Sequence, residues 1–328
     1  MNRRDAVRVL LALAAVIAPL RTRAQSRPAK IVRVGVLVVV SRTDSMTIQL
    51  LPTALRKLGW IEGKNIVFDW RFADGRPAEL PRLASELVQL NPDVIVVPSN
   101  FEADAVLRAT RTIPLVVGAA FDPVETGLAQ SVAHPGGSVT GLVWAEAGRS
   151  SKAIEVLREA VPSMRRMATL YDERFPGIQL YLEASQVVAD SIRLELRRFP
   201  VRNREDIAVA LTSMNKEGVD ALWVTPSGVI APEIARILTY AAERRLPTGF
   251  SLPWAVERGG LLSYAPNLPE VLVRGTALVD KILNGANPGD LPFEYPTRYD
   301  LTINLKTANA LGIKIPQMVL LRADRLIE

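Results

Sequence analysis

Asp122 and His134 are the two places where chemistry could begin. Asp122 follows an apolar run, 113–120, and is followed at once by Pro123. A carboxylate at a strand end can cap a helix or face a ligand, and proline suits the first helical turn. Val124, Leu128 and Val132 recur at helical spacing, so 124–132 predicts a short helix with its positive end toward Asp122. His134-Pro135-Gly136-Gly137 stops it, and 138–142 can re-enter a sheet. Loops at strand C-terminal ends, with a helix start pointing in, are where open α/β sheets hold ligands.

Catalytic equipment is sparse. His134 is the only histidine and there is no cysteine. A Ser-His-Asp triad needs its histidine in the cleft, whereas this one lies at the far end of the predicted helix. Thiolate metal sites, disulfides and a cysteine nucleophile are excluded, and a His/carboxylate metal site lacks ligands. There is no GxxxxGK[ST], and Gly136-Gly137 is no dinucleotide fingerprint. No catalytic residue, metal or cofactor is expected, and the chain reads as a binder.

Binding groups are better supplied. Predicted strand ends carry Ser41, Arg42 and Thr43, then Ser99, Asn100 and Phe101, then Phe121 and Asp122, with Trp144 just beyond. Later ends carry Asp172 and Arg174, Ser227 and Gly228, Ser251 and Trp254, and Tyr264. Hydroxyls, an amide and several aromatics suit a small, partly aromatic ligand. Singly, each reads first as loop filler or core edge; the set carries the reading. Arg42 and Arg174 can each meet a carboxylate bidentately or stand as solvated loop arginines.

The elements that must position these groups alternate. Strand patterns at 31–40, 66–72, 93–98 and 113–120 are separated by apolar stripes at 47–58, 80–88 and 102–110. Alternation resumes with helices over 153–161, 179–193 and 231–243 and strands over 167–171, 219–225, 247–251 and 261–264. A strong helical stripe at 269–283 and a strand at 300–306 follow. This is the pattern of two α/β lobes with parallel sheets flanked by helices. No sequence repeat, heptad or low-complexity tract interrupts it. The expected division is 31–145 with about 266–295 as lobe I, and about 146–265 with 296–328 as lobe II.

The first 24 residues read as an export signal. Arg3, Arg4 and Arg8 precede an uncharged run over 9–20, too short to span a bilayer comfortably, and Thr22-Arg23-Ala24 offers a cleavage site near Ala24. Arg3-Arg4 invites a twin-arginine reading, but Asp5-Ala6-Val7 continues it poorly, so the general secretory route is favoured. The segment holds five arginines and one aspartate, a net of +4, so the whole chain's +6 falls to about +2 without it. That balance asks for no nucleic-acid or membrane-surface partner.

Three motifs in order carry a resemblance: Leu58-Gly59-Trp60-Ile61-Glu62-Gly63-Lys64-Asn65, the block 117–142, and Leu301-Thr302-Ile303-Asn304-Leu305-Lys306-Thr307. Together they resemble the substrate-binding proteins of bacterial ABC importers, in the branch that includes tryptophan- and tyrosine-binding members. The resemblance implies a type I periplasmic binding protein with a hinged cleft, periplasmic location, an inner-membrane ABC permease as partner and action as a monomer. Amino-acid binders of that family carry hydroxyls where this chain has Asn100 and Phe121. They also carry acidic residues where it reads Ser251-Leu252-Pro253-Trp254. A buried ammonium needs an anionic or dipolar partner, so the expected ligand is an aromatic or apolar molecule with a carboxylate or amide and no free α-amino group. A periplasmic sensor subunit and, further off, an α/β hydrolase are the alternatives. A related fold serves repressors, but an export signal stands where their helix-turn-helix would be.

Overall fold

The structure is a computed structural model that describes residues 31–43, 45, 47–145, 152–225 and 227–328. The export segment expected at 1–24 lies outside the described residues.

The first sheet follows from strands whose side chains are buried on both faces. β1 (Val32–Val38) places Val34 and Val36 at 0% exposure, and β2 (Ile66–Phe72), β3 (Val94–Ser99), β4 (Leu115–Phe121) and β5 (Val139–Ala145) pair beside it. The order is β2-β1-β3-β4-β5, all parallel. Parallel strands need helical crossovers on both faces, which explains the continuous apolar runs. Helices α1 (Thr47–Lys57), α2 (Leu80–Gln89) and α3 (Asn100–Ala109) supply them. One core, with Leu83, Leu87 and Val106, lies between the sheet and α2 and α3. The opposite core, with Val36, Val96 and Leu55, is completed by a helix from far along the chain, α9 (Leu268–Leu283). Trp60 ties α1 to α9 by donating its indole N–H to Asp280 Oδ1 at 2.7 Å.

The second sheet is built from β6 (Arg166–Asp172), β7 (Glu195–Val201), β8 (Ala221–Val224), β9 (Thr248–Phe250), β10 (Leu262–Pro266), β11 (Tyr299–Asn304) and β12 (Arg325–Ile327). Its order, β12-β11-β10-β9-β8-β6-β7, contains β7-β6-β8-β9-β10, the first sheet's order repeated. This structural repeat has no counterpart in the sequence. Among the described strands of this sheet, only the β10–β11 pairing is antiparallel; β11 is the strand by which the chain returns from α9. Helices α4 (Lys152–Ala160), α5 (Ile178–Ser191), α6 (Arg204–Lys216), α7 (Ile234–Glu243), α8 (Pro253–Glu257), α10 (Leu305–Leu311) and α11 (Gln317–Leu320) flank it. Among the described residues, no helix is long and apolar enough to cross a membrane.

Two local expectations are corrected. The helix predicted over 124–132 is a series of turns. One turn forms, with Thr126 N–H donating to the Asp122 carbonyl at 2.9 Å. Gly127 at φ 74° then takes the chain out of helical geometry, and Asp122 itself sits at φ 38°. No helix dipole therefore points at Asp122. The elements β7 and α6 also stand where the sequence reading placed none. As an edge strand, β7 buries only Phe199 and Val201, so its periodicity is weak.

Candidate functional site

In both sheets the strand order reverses beside the strand that comes first in sequence, at β1/β3 and at β6/β8. Such reversals leave a crevice at the strand C-terminal ends. A cavity of about 610 Å³ lies between the two sheets at these crevices. From the first sheet come the β1 end (Val38 to Val40), the β3–α3 junction with Ser99 and Phe101, and Phe121 and Trp144. From the second come Phe175, Tyr181, Thr225, Ser227, Gly228, Ser251 and Trp254. Tyr264 also lines it, stacked on Tyr299 at 5.5 Å and 22°.

Of the sequence-derived set, Ser99, Phe101, Phe121, Trp144, Ser227, Gly228, Ser251, Trp254 and Tyr264 come together on this cavity. Seven others, Thr43 and Asp172 among them, are placed off its lining. Ser41 bonds through Oγ to Thr43 Oγ1 at 2.9 Å. Arg42 is exposed, with its guanidinium 5.8 Å from the Phe72 ring. Asn100, 1% exposed, donates Nδ2–H to the Phe121 carbonyl and accepts the Phe121 N–H through Oδ1, both at 2.8 Å. It thus clamps the end of β4 to the start of α3. Asp122 accepts Thr126 Oγ1–H on its carbonyl at 2.8 Å. Arg174 turns its Nε–H to the buried Asp172 Oδ1 at 3.3 Å, which directs it to the protein itself. His134 is exposed.

Several lining residues were not anticipated. Glu102 is 0% exposed and holds two cleft loops together. Its Oε1 accepts the Val39 N–H at 2.9 Å, and its Oε2 accepts Ser99 Oγ–H at 2.6 Å and Ser99 N–H at 3.2 Å. Burial pushes its carboxyl above the ordinary 4.5, against the opposing pull of the Ser99 and Val39 bonds. The signal was present as Ser99-x-x-Glu102, a capping box directly after a strand. Arg258 lines the cavity with its guanidinium 4.8 Å from the Trp254 ring. That i, i+4 spacing on α8 and its C-cap is legible once α8 is known. Burial also pushes the Tyr181 phenol up.

The cavity is bridged by aromatic contacts. Phe175 meets Phe101 at 5.2 Å and 78° and Phe121 at 6.1 Å and 73°. Tyr181 meets Phe121 at 6.3 Å and 70°. Beside them Val39 lies directly against Gly228: a Cβ on Gly228 would be 2.7 Å from Val39 Cγ2. The two sides of the cleft are therefore in contact. Chemically, the site offers apolar and π surface, a few hydroxyls, one buried carboxylate engaged by N–H and O–H donors, and one guanidinium. Among the described residues, no group of three His, Cys, Asp or Glu side chains could hold a metal.

The motifs at 58–65 and 301–307 do structural work. Asn65 Oδ1 accepts the Ile61 N–H at 2.7 Å and Nδ2 donates to the Gly59 carbonyl at 3.0 Å. Asn304 caps α10 by accepting the Thr307 N–H at 3.0 Å and donates to the Val256 carbonyl at 2.9 Å. Such residues define a scaffold and leave the ligand open.

Comparison with known proteins agrees with that scaffold. The chain is 24% identical over 261 residues to the tyrosine-binding protein of Clostridioides difficile (strain R20291), covering 80% of this chain and 75% of that one. Its fold matches a conserved domain protein from Vibrio cholerae O1 biovar El Tor str. N16961, with a TM-score of 0.85, 29% identity and coverage of 90% and 100%. It also matches the ABC domain from Streptococcus pneumonia in complex with L-Trp, with a TM-score of 0.82, 25% identity and coverage of 90% and 99%. A family model described as ABC transporter substrate binding protein matches residues 33–327, so the chain belongs to that family.

Proposed function

We propose that this protein is the exported solute-binding component of an ABC importer. It captures a small aromatic or apolar molecule bearing a carboxylate or amide and delivers it to a membrane permease from the periplasm. The reading treats 31–145 with about 266–295, and about 146–265 with 296–328, as two lobes that close on the ligand. The observation that carries it is the cavity between the sheets, with both sides in contact through Val39 and Gly228 and through Phe175. Its walls are apolar and aromatic with few polar groups, as ligand pockets are. Arg258 is the group for an acidic ligand end. The buried carboxylate of Glu102 already accepts Val39 N–H, Ser99 N–H and Ser99 Oγ–H, which leaves little capacity for a ligand ammonium.

A thermal-shift screen with aromatic acids, their amides and the parent amino acids tests the reading, followed by small-angle scattering on the best compound. The expected results are stabilisation by desamino acids and a smaller radius of gyration with ligand. Preference for the amino acid would overturn the ligand class. Absence of any stabilisation, with identical scattering curves, would overturn capture by closure.

A further inference from the structure

The cavity extends well beyond the cleft. Its walls follow β4 from Phe121 back to Val116, and α9 from Leu268 on to Val279. At about 3.3 Å per residue the strand wall spans roughly 16 Å. At about 1.5 Å per residue the helix wall also spans roughly 16 Å. The deep walls are Val38, Val96, Val116, Leu51, Val271 and Val279, all in the core between the first sheet, α1 and α9. A core of this kind is normally close-packed, with few voids larger than a water molecule.

Gly275 sits midway along the helical wall. A Cβ there would meet only Leu142 Cδ2, at 4.0 Å. No close approach requires the glycine, and its φ lies outside the left-handed region. Inside a helix glycine is the poorest former after proline. What its missing side chain leaves is open space facing the cavity. The cavity, cleft and arm together, holds about 610 Å³, and an apolar extension of it running between the sheet and α9 is more than the few water-sized voids a close-packed core normally leaves.

We infer that this deep arm is a second binding compartment that takes an extended apolar part of the ligand, an alkyl chain or a second ring. The polar end then stays in the cleft near Arg258. This rests on the reading that the cleft captures a small molecule. The ligand class becomes an elongated amphipathic acid or amide, longer than a single aromatic amino acid.

The test is calorimetry on the full chain with ω-phenylalkanoates, from phenylacetate to 8-phenyloctanoate, comparing wild type with Gly275→Leu and Gly275→Ala. In wild type, affinity should rise with chain length, by up to about fourfold per methylene buried. In Gly275→Leu the rise should stop, with the longest acids at least tenfold weaker, phenylacetate unchanged and the unliganded melting temperature not lowered. Gly275→Ala should follow wild type, which separates filling from helix stiffening. Equal affinity for short and long acids in wild type, or long acids bound equally by Gly275→Leu, overturns the deep arm and leaves cleft capture standing. If no acid of the series binds, both readings fall together.

Discussion

The contact between Val39 and Gly228 gives a way to oppose closure without touching the ligand. Gly228→Ala adds one methyl, whose carbon would lie 2.7 Å from Val39 Cγ2 and 2.9 Å from Cγ1. Carbon atoms sit comfortably at about 3.5–4.0 Å, so roughly 1 Å must be found. Val39 cannot easily supply it. Its β-branched side chain is stiff at χ1. Its N–H is held by Glu102 Oε1 at 2.9 Å and its carbonyl by the Gly75 N–H at 2.8 Å. Gly228 is not at positive φ, so alanine brings no backbone strain. The clash therefore exists only when the two sides meet. Overpacking of this kind costs about 1–3 kcal/mol. Placed on the closed form alone, it lowers ligand affinity by about 5–150-fold. Calorimetry with the tightest screened compound reads the affinity, and scattering reads the radius. The melting temperature of the unliganded protein should stay near wild type. Adding Val39→Ala should restore most of the affinity. Wild-type affinity in Gly228→Ala, or no recovery in the double variant, would refute closure through this contact.

Three further outcomes follow from the site. Arg258→Gln should weaken acids by about 10–100-fold, as expected for loss of a charge-assisted bond, and leave the matching amides within about threefold; calorimetry on acid–amide pairs checks this. Glu102→Gln should destabilise by about 1–3 kcal/mol at acid pH, because an NH₂ then faces N–H and O–H donors. Since folding raises the Glu102 value above 4.5, the associated stability is present below that pH and lost as pH rises through the raised value. The melting-temperature gap between wild type and variant should therefore narrow with increasing pH; a widening gap would reverse the assigned shift. Asn100→Ala should cost about 1–3 kcal/mol in urea unfolding, because it removes the side-chain acceptor of the buried Phe121 N–H and leaves the Phe121 carbonyl only Thr126 Oγ1–H at 3.2 Å.

The parallel sheets could be read because buried strands are written as unbroken apolar runs: 66–72 was placed to the residue, and the stripe at 269–283 marked α9. Its return to the first sheet rests on contacts that span the chain, such as Trp60 to Asp280. The weak spots were elements whose burial is partial. β7 shows solvent three charged side chains, Glu195, Arg197 and Arg198, and so looked like loop. The segment after Asp122 carries helical apolar spacing, but Gly127 at φ 74° ends it after one turn. In the site, aromatics were found because strand ends are legible. The arginines were not resolved because direction depends on partners: Asp172 takes Arg174, whereas α8 delivers Arg258 to the cleft. Glu102 was passed over because a capping residue on a first turn ordinarily faces solvent.

The late position of α9 also sets a timetable for synthesis. All five strands of the first sheet are complete by Ala145, yet the face carrying Val34, Val36, Val96 and Val116 has to wait for residues 268–283. At about 5–20 residues per second, that interval lasts roughly 7–30 s on the ribosome. During it the nascent chain presents an apolar face that α1 covers only in part, a natural target for a chaperone that holds chains unfolded. A chain ended after Pro266 should stay aggregation-prone, and supplying 267–298 as a separate peptide should raise its soluble yield. No change on adding the peptide would show that the sheet closes that face some other way.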